Sequence, residues 1–159
     1  MKHLSVPVYI VFIGLFIAGC GSFPDSTGPT QSAQPQAAQD FVRLVNEHRV
    51  SIGLRPLEWD SDVAAAALFH SEDMRSRNYF SHIDPEGNEP WDRLNDQGVL
   101  YNAAAENIAR GQRSGEQVLQ TWLNSSGHRA NIENGDYTHH GVGYVEDGNY
   151  WTHKFVRLR

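Results

Sequence analysis

The sequence predicts an α+β domain, on three observations. Apolar residues recur at helical spacing through the first half of the globular stretch, with capping signals where the segments start. Two runs rich in β-branched and aromatic residues, Gly141–Val145 and Tyr150–Val156, close the chain around Asp147-Gly148-Asn149, which reads as a hairpin turn. A third strand is expected near Ala103–Ala109, so helices come first and an antiparallel sheet last.

In chain order, Phe41, Leu44, Val45, His48 and Ile52 share one helical face, and Gly53 supplies a stop. Leu54–Trp59 reads as a loop carrying Pro56 and two apolar pegs, Leu57 and Trp59. Asp60 or Ser61 caps a second helix reaching about Arg77. Its residues Ala64, Ala65, Ala67 and Leu68 suit close packing against a sheet or another helix. Asp84-Pro85-Glu86-Gly87 is a turn signal, and Pro90 fits the first turn of a short helix that Gly98 closes. Ser114 with Gln117 forms a capping box for a helix to about Asn124, whose apolar face holds Val118, Leu119 and Trp122.

The chain has 159 residues, 13 Lys and Arg against 19 Asp and Glu, and a formal net charge of −6. That length fits one domain with a tail, and a monomer is expected. The acidic balance argues against a nucleic-acid binder and against electrostatic docking on anionic lipid. The single cysteine, Cys20, excludes an internal disulfide framework, a CxxC redox pair and a thiolate zinc cluster.

Lys2 and His3 precede a 13-residue apolar run, Val6–Ala18. A membrane-spanning helix needs about 20 residues, so the run reads as the hydrophobic region of a signal peptide. It ends in Ile17-Ala18-Gly19-Cys20, which resembles the lipobox of bacterial lipoproteins, with Ile17 where Leu is most frequent. The resemblance implies a signal peptide over residues 1–19 and lipidation of Cys20. Residues 20–38 are rich in Ser, Thr, Gly, Pro and Gln and read as a flexible tether. The globular domain is then residues 39–159. Such a chain would sit in the cell envelope, held to the membrane by its lipid. Gly21 rather than Asp after the cysteine favours the outer membrane in a diderm host. In a monoderm host it would occupy the extracytoplasmic face.

Three residues stand out as candidates for chemistry. His82 follows helix two in an aromatic-flanked loop, Glu106 lies in the apolar run AAAENIA, and His128 sits between Gly127 and Arg129. Two imidazoles and a carboxylate can hold a divalent ion or do acid/base work. They can equally form a buried hydrogen-bond network that holds loops, because a lone buried carboxylate needs partners. Spacing alone leaves these alternatives open. His48 reads as a satisfied packing residue and His70 as a surface or half-buried helix residue. His139 and His140 point to opposite faces of an extended segment, so one of them could look into a cavity. Asn107, Arg129 and Asn131 read as scaffold bonded to loop carbonyls.

The strings NEHR (46–49), LEWD (57–60), FSH (80–82), AENIA (105–109), GHRANI (127–132), GVGY (141–144) and YWTHKF (150–155) occur in an order that resembles the CAP superfamily, also called the SCP domain. That family includes cysteine-rich secretory proteins, antigen 5 and plant pathogenesis-related proteins, and the likeness is to its bacterial branch. The resemblance implies a three-layer α-β-α sandwich with a central cavity lined by two His and two Glu. His82, Glu106 and His128 match three of these, and Ser125 stands where the second glutamate would be. His82 and His128 are the implied ligands for zinc or another divalent ion. The leading functional reading is a module that binds a lipid, a sterol-like molecule or an envelope glycan. The alternative is a metal-assisted hydrolase acting on peptides or cell-wall material, with Glu106 as base. Loss of the carboxylate at Ser125 leaves few groups for separate metal-holding and base roles, which favours binding.

Overall fold

A computed structural model describes residues 28–159, so the expected signal peptide, Cys20 and the start of the tether lie outside the described residues. In chain order the elements are α1 (Gln36–Ser51), β1 (Glu58–Trp59), α2 (Ser61–Ser76), α3 (Pro90–Asp96), β2 (Tyr101–Arg110), α4 (Gly115–Leu123), α5 (Ser126–Ile132), β3 (His139–Val145) and β4 (Tyr150–Leu158). The strands lie in the order β1-β3-β4-β2. Helix α2, with α3 beside it, covers one face; α1 and α4 cover the other, with α5 against α4. The α+β sandwich expected from the sequence is thus present. Among the described residues no helix is long and apolar enough to cross a membrane.

Two elements correct the expectation. The sheet is mixed rather than antiparallel, because β1 pairs with β3 in parallel while β2 and β3 run antiparallel to β4. Two residues leave no alternation to read. What fixes β1 is tertiary: Asn46 of α1 donates to the Leu57 carbonyl and accepts from the Leu57 N–H. Helix α5 is the second, seven residues long and with no side-chain cap at Ser125. Helix α1 also begins at Gln36, inside the stretch read as tether, and buries Ala38 completely. Before it, the Pro29 carbonyl accepts a hydrogen bond from Trp59 Nε1.

The remaining elements form for the reasons their sequences advertise. Asp60 caps α2 by accepting from the N–H groups of Asp62 and Val63. Ser114 caps α4 by accepting from Gln117 N–H. The small stripe of α2 lets its backbone descend onto β3. A Cβ on Gly141 would stand 2.1 Å from Ala64 N, and one on Gly143 would stand 2.3 Å from Leu68 Cα. Glycine is therefore required at both positions by the helix above them.

Alternation along the strands gives each face a different core. Towards α1 and α4 point Ala105, Ala109, Val142, Tyr144, Trp151 and Phe155, closed over by Phe41 and Trp122. Phe41 meets the Trp122 ring edge-on at 5.2 Å. Towards α2 point Ile108, Tyr150, Val156 and, between them, Glu106 and Lys154, which face each other across the β2–β4 ladder.

Candidate functional site

The strand β2 run that holds Glu106 is apolar, so the carboxylate is carried to a depth where its side chain is 2% exposed. Its neighbours answer the cost of that burial. Lys154 Nζ, completely buried, donates to Glu106 Oε2 at 2.6 Å and to the Pro90 carbonyl at 3.0 Å. His82 Nδ1 lies 2.8 Å from Oε1. His70 Nε2 lies 3.8 Å from Oε1, and a guanidinium nitrogen of Arg93 lies 3.5 Å from Oε2. Burial alone would raise the pKa of Glu106. The charge of Lys154, the hydrogen bond from His82 and the nearby His70 outweigh it and hold the carboxyl at about 2.

The FSH loop is positioned by its carbonyls. His70 Nε2 bonds the Ser81 carbonyl at 3.0 Å, and Arg93 donates to the His82 carbonyl at 2.6 Å. The turn that follows is organised by Asp84, whose Oδ1 accepts from the N–H groups of Glu86 and Asn88. The same network that pairs Glu106 therefore fixes the main chain of His82, while the imidazole itself remains 46% exposed.

His128, on α5, enters through its main chain: Asn107 Nδ2 donates to its carbonyl at 3.1 Å, and Asn131 Nδ2 donates to Asn107 Oδ1 at 2.8 Å. Arg129 donates to the Leu123 carbonyl. Asn107 and Arg129 thus bond main-chain carbonyls, of helix residues rather than of loops, while Asn131 bonds the Asn107 side chain instead of a carbonyl. The His128 ring is half-buried, and its Nδ1 has no hydrogen-bond partner. Its pKa is lowered by burial and then by the charge of His82.

The expected metal ligands are His82 and His128, and the described residues build no larger donor cluster around them. No group of three or more His, Cys, Asp or Glu is arranged to hold an ion. One Glu106 oxygen is engaged by Lys154 and the other by His82, whose Nδ1 is thereby used, and Ser125 brings no carboxylate.

The other histidines are placed as follows. His48 Nε2 meets Glu133 Oε1 at 2.9 Å, a satisfied packing residue as expected. His70 is fully buried, which corrects the reading of a surface or half-buried residue: it stands on the sheet-facing side of α2. His139 lies 3.5 Å from Glu58. His140 turns into the core, where its Nδ1 lies 3.0 Å from His153 Nε2, so it does not face Glu106. Sequence reasoning missed Lys154, Arg93 and His70 as members of the site. The signal was present for Lys154: one cation in an apolar strand run answers one anion in another.

In front of Glu106 opens a hollow of about 430 Å³, walled by Ile83, Pro90, Trp91, Ala104 and Ala105 with His82, Glu89 and Asn131. Trp91, 39% exposed, has its indole N–H fixed on Glu89 Oε2 at 2.6 Å.

This fold is an α-β-α sandwich, and the chain belongs to the cysteine-rich secretory protein (CAP) family, whose model matches residues 42–156. It is 42% identical over 135 residues to the uncharacterized protein YkwD of Bacillus subtilis, covering 83% of this chain and 52% of that one. It is also 42% identical over 124 residues to the uncharacterized membrane protein YlbC of the same organism, covering 78% of this chain and 35% of that one. An extracellular SCP-domain protein of Bacillus anthracis superposes with a TM-score of 0.72 at 40% identity, covering 75% of this chain and 39% of that one. The chain thus spans about half the length of the first of these relatives, and less of the other two.

Proposed function

We propose that the chain is a cell-envelope lipoprotein, anchored through Cys20, whose CAP domain binds a small ligand in the hollow beside His82. One observation carries the binding part: an exposed indole and a half-exposed imidazole line a concave, mainly apolar site, over a carboxylate already neutralised by protein cations. The lipobox-like string supports the anchor, and the extracellular and membrane relatives support an envelope location.

The hydrolase alternative asks Glu106 to act as a base. Efficient proton transfer near neutrality needs a carboxylate whose pKa lies near the working pH. A carboxyl held at about 2 has little basicity to offer, so binding is the better-supported reading.

Mass spectrometry of the purified full chain tests the anchor. A diacylglyceryl adduct on Cys20, lost in Cys20→Ala, is expected; an unmodified cysteine refutes it. Zinc titration tests the alternative. Stoichiometric uptake that vanishes in both His82→Ala and His128→Ala, with peptide or muropeptide turnover lost in Glu106→Ala, would establish the hydrolase instead.

A further inference from the structure

Most of the open polar side-chain atoms of the hollow are acceptors. Because Nδ1 of His82 faces the Glu106 carboxylate, a ring carrying one proton holds it on Nδ1 and turns Nε2 outward as an acceptor. Asn131 gives one of its two amide N–H groups to Asn107, and its Oδ1 remains as an acceptor. Glu89 presents an exposed carboxylate, one oxygen of which holds the Trp91 N–H. The cations nearby are withdrawn. Lys154 is committed to Glu106 and the Pro90 carbonyl, and Arg93 to the carbonyls of His82 and Asn88. Among the described side chains, the hollow therefore offers mainly hydrogen-bond acceptors and an indole, with no open Lys or Arg.

We propose that the occupant is a neutral saccharide, with one sugar ring laid against Trp91 and its hydroxyls donating to His82 Nε2, Asn131 Oδ1 and Glu89. This rests on the small-ligand reading above and names its chemical class. An anionic ligand would meet acceptors and the carboxylate of Glu89 with nothing to compensate its charge. An alkyl chain would leave these same acceptors desolvated and unpaired. A sugar ring supplies both halves of the match, because its C–H face packs on an aromatic surface and its rim carries donors. Fixing the indole N–H on Glu89 holds the ring plane in place before binding, which lowers the ordering cost.

Calorimetric titration of the full chain, purified in a sugar-free polyoxyethylene detergent, tests this with four probes: maltotriose, tri-N-acetylchitotriose, choline and decanoate. At least one saccharide should bind with a Kd of about 1 mM or below. That affinity should weaken by about tenfold or more in Trp91→Ala and be largely kept in Trp91→Phe. Trp91 is a surface residue of α3, and circular dichroism of both variants checks that they fold. Choline binding abolished by Glu89→Gln, with no saccharide binding, overturns the inference in favour of an organic-cation site. Decanoate binding that depends on Trp91 overturns it in favour of a lipid site; either result leaves the small-ligand reading standing. Saccharide binding indifferent to Trp91→Ala overturns the placement. No response to any probe overturns both readings.

Discussion

The two faces of the sheet bury polar pairs in opposite ways. Towards α2, Glu106 and Lys154 are both charged, and each has more than one partner. Towards α1 and α4, His140 and His153 meet at 3.0 Å inside an aromatic core of Phe41, Trp59, Trp122 and Phe155. There, His140 Nε2 and His153 Nδ1 have no partner at all. Burial, and then the charge of Arg49 with the neighbouring histidine rings, drives both imidazoles far below the ordinary histidine range, His140 to about 3. The first pair must remain charged and the second must remain neutral. The charged face is the one that opens onto the hollow, and the neutral face is packing.

The largest effect expected from breaking this contrast comes from Lys154→Met, which strands the Glu106 carboxylate without its closest cation. Urea unfolding should show a loss of about 3–5 kcal/mol, most of it recovered when Glu106→Gln is added. Equal losses in the single and the double variant would mean that the two side chains are not paired.

Acid should separate the faces next. His140 and His153 have folded pKa values below their unfolded ones, so the unfolded chain takes up those protons first. The stability present above pH 6.5 is therefore lost progressively as pH falls towards about 3, and fully buried His70, held at about 4, adds to the same window from the other face. Glu106 contributes stability above 4.5 that is lost only as pH falls from there through about 2. Urea midpoints measured from pH 7 to 3 should begin to fall near 6, with the Glu106 contribution appearing at the acid end. His140→Leu should cost less than about 1.5 kcal/mol at pH 7 and flatten the upper part of the curve. An unchanged curve would place the acid sensitivity elsewhere.

The smallest effect sharpens the comparison from outside. The Arg75–Asp147 pair joins α2 to the β3–β4 turn with side chains 48% and 73% exposed. Arg75→Ala should cost at most about 0.5 kcal/mol and less at high salt. A loss like that of Lys154→Met would remove burial as the explanation for the difference.

What could be read in advance follows from range. Helices α2, α3 and α4 announce themselves through Asp60, Pro90 and Ser114, and the hairpin through Asp147-Gly148-Asn149, because caps and turns are made by residues next to one another. Strand β1 and helix α5 depend on partners far along the chain. Asn46 reaches Leu57, and Asn107 reaches the His128 carbonyl across 21 positions. The site follows the same rule. His82, Glu106 and His128 were visible as chemistry-bearing residues in odd company, yet Lys154, 48 positions from Glu106, becomes its partner only through the register of β2 against β4. His70 could not be told from a surface histidine, because the helix pattern that would orient it is blurred by the alanines of α2.

The central claim is that Glu106 is a charge-locked support for the hollow and not a base. A ¹³C NMR titration of its side-chain carboxyl reads this directly. The resonance should keep its ionised position down to pH 4 and move with a midpoint near 2. A midpoint at or above 4.5, the ordinary glutamate value, would contradict the account and return Glu106 to the role of a working acid or base.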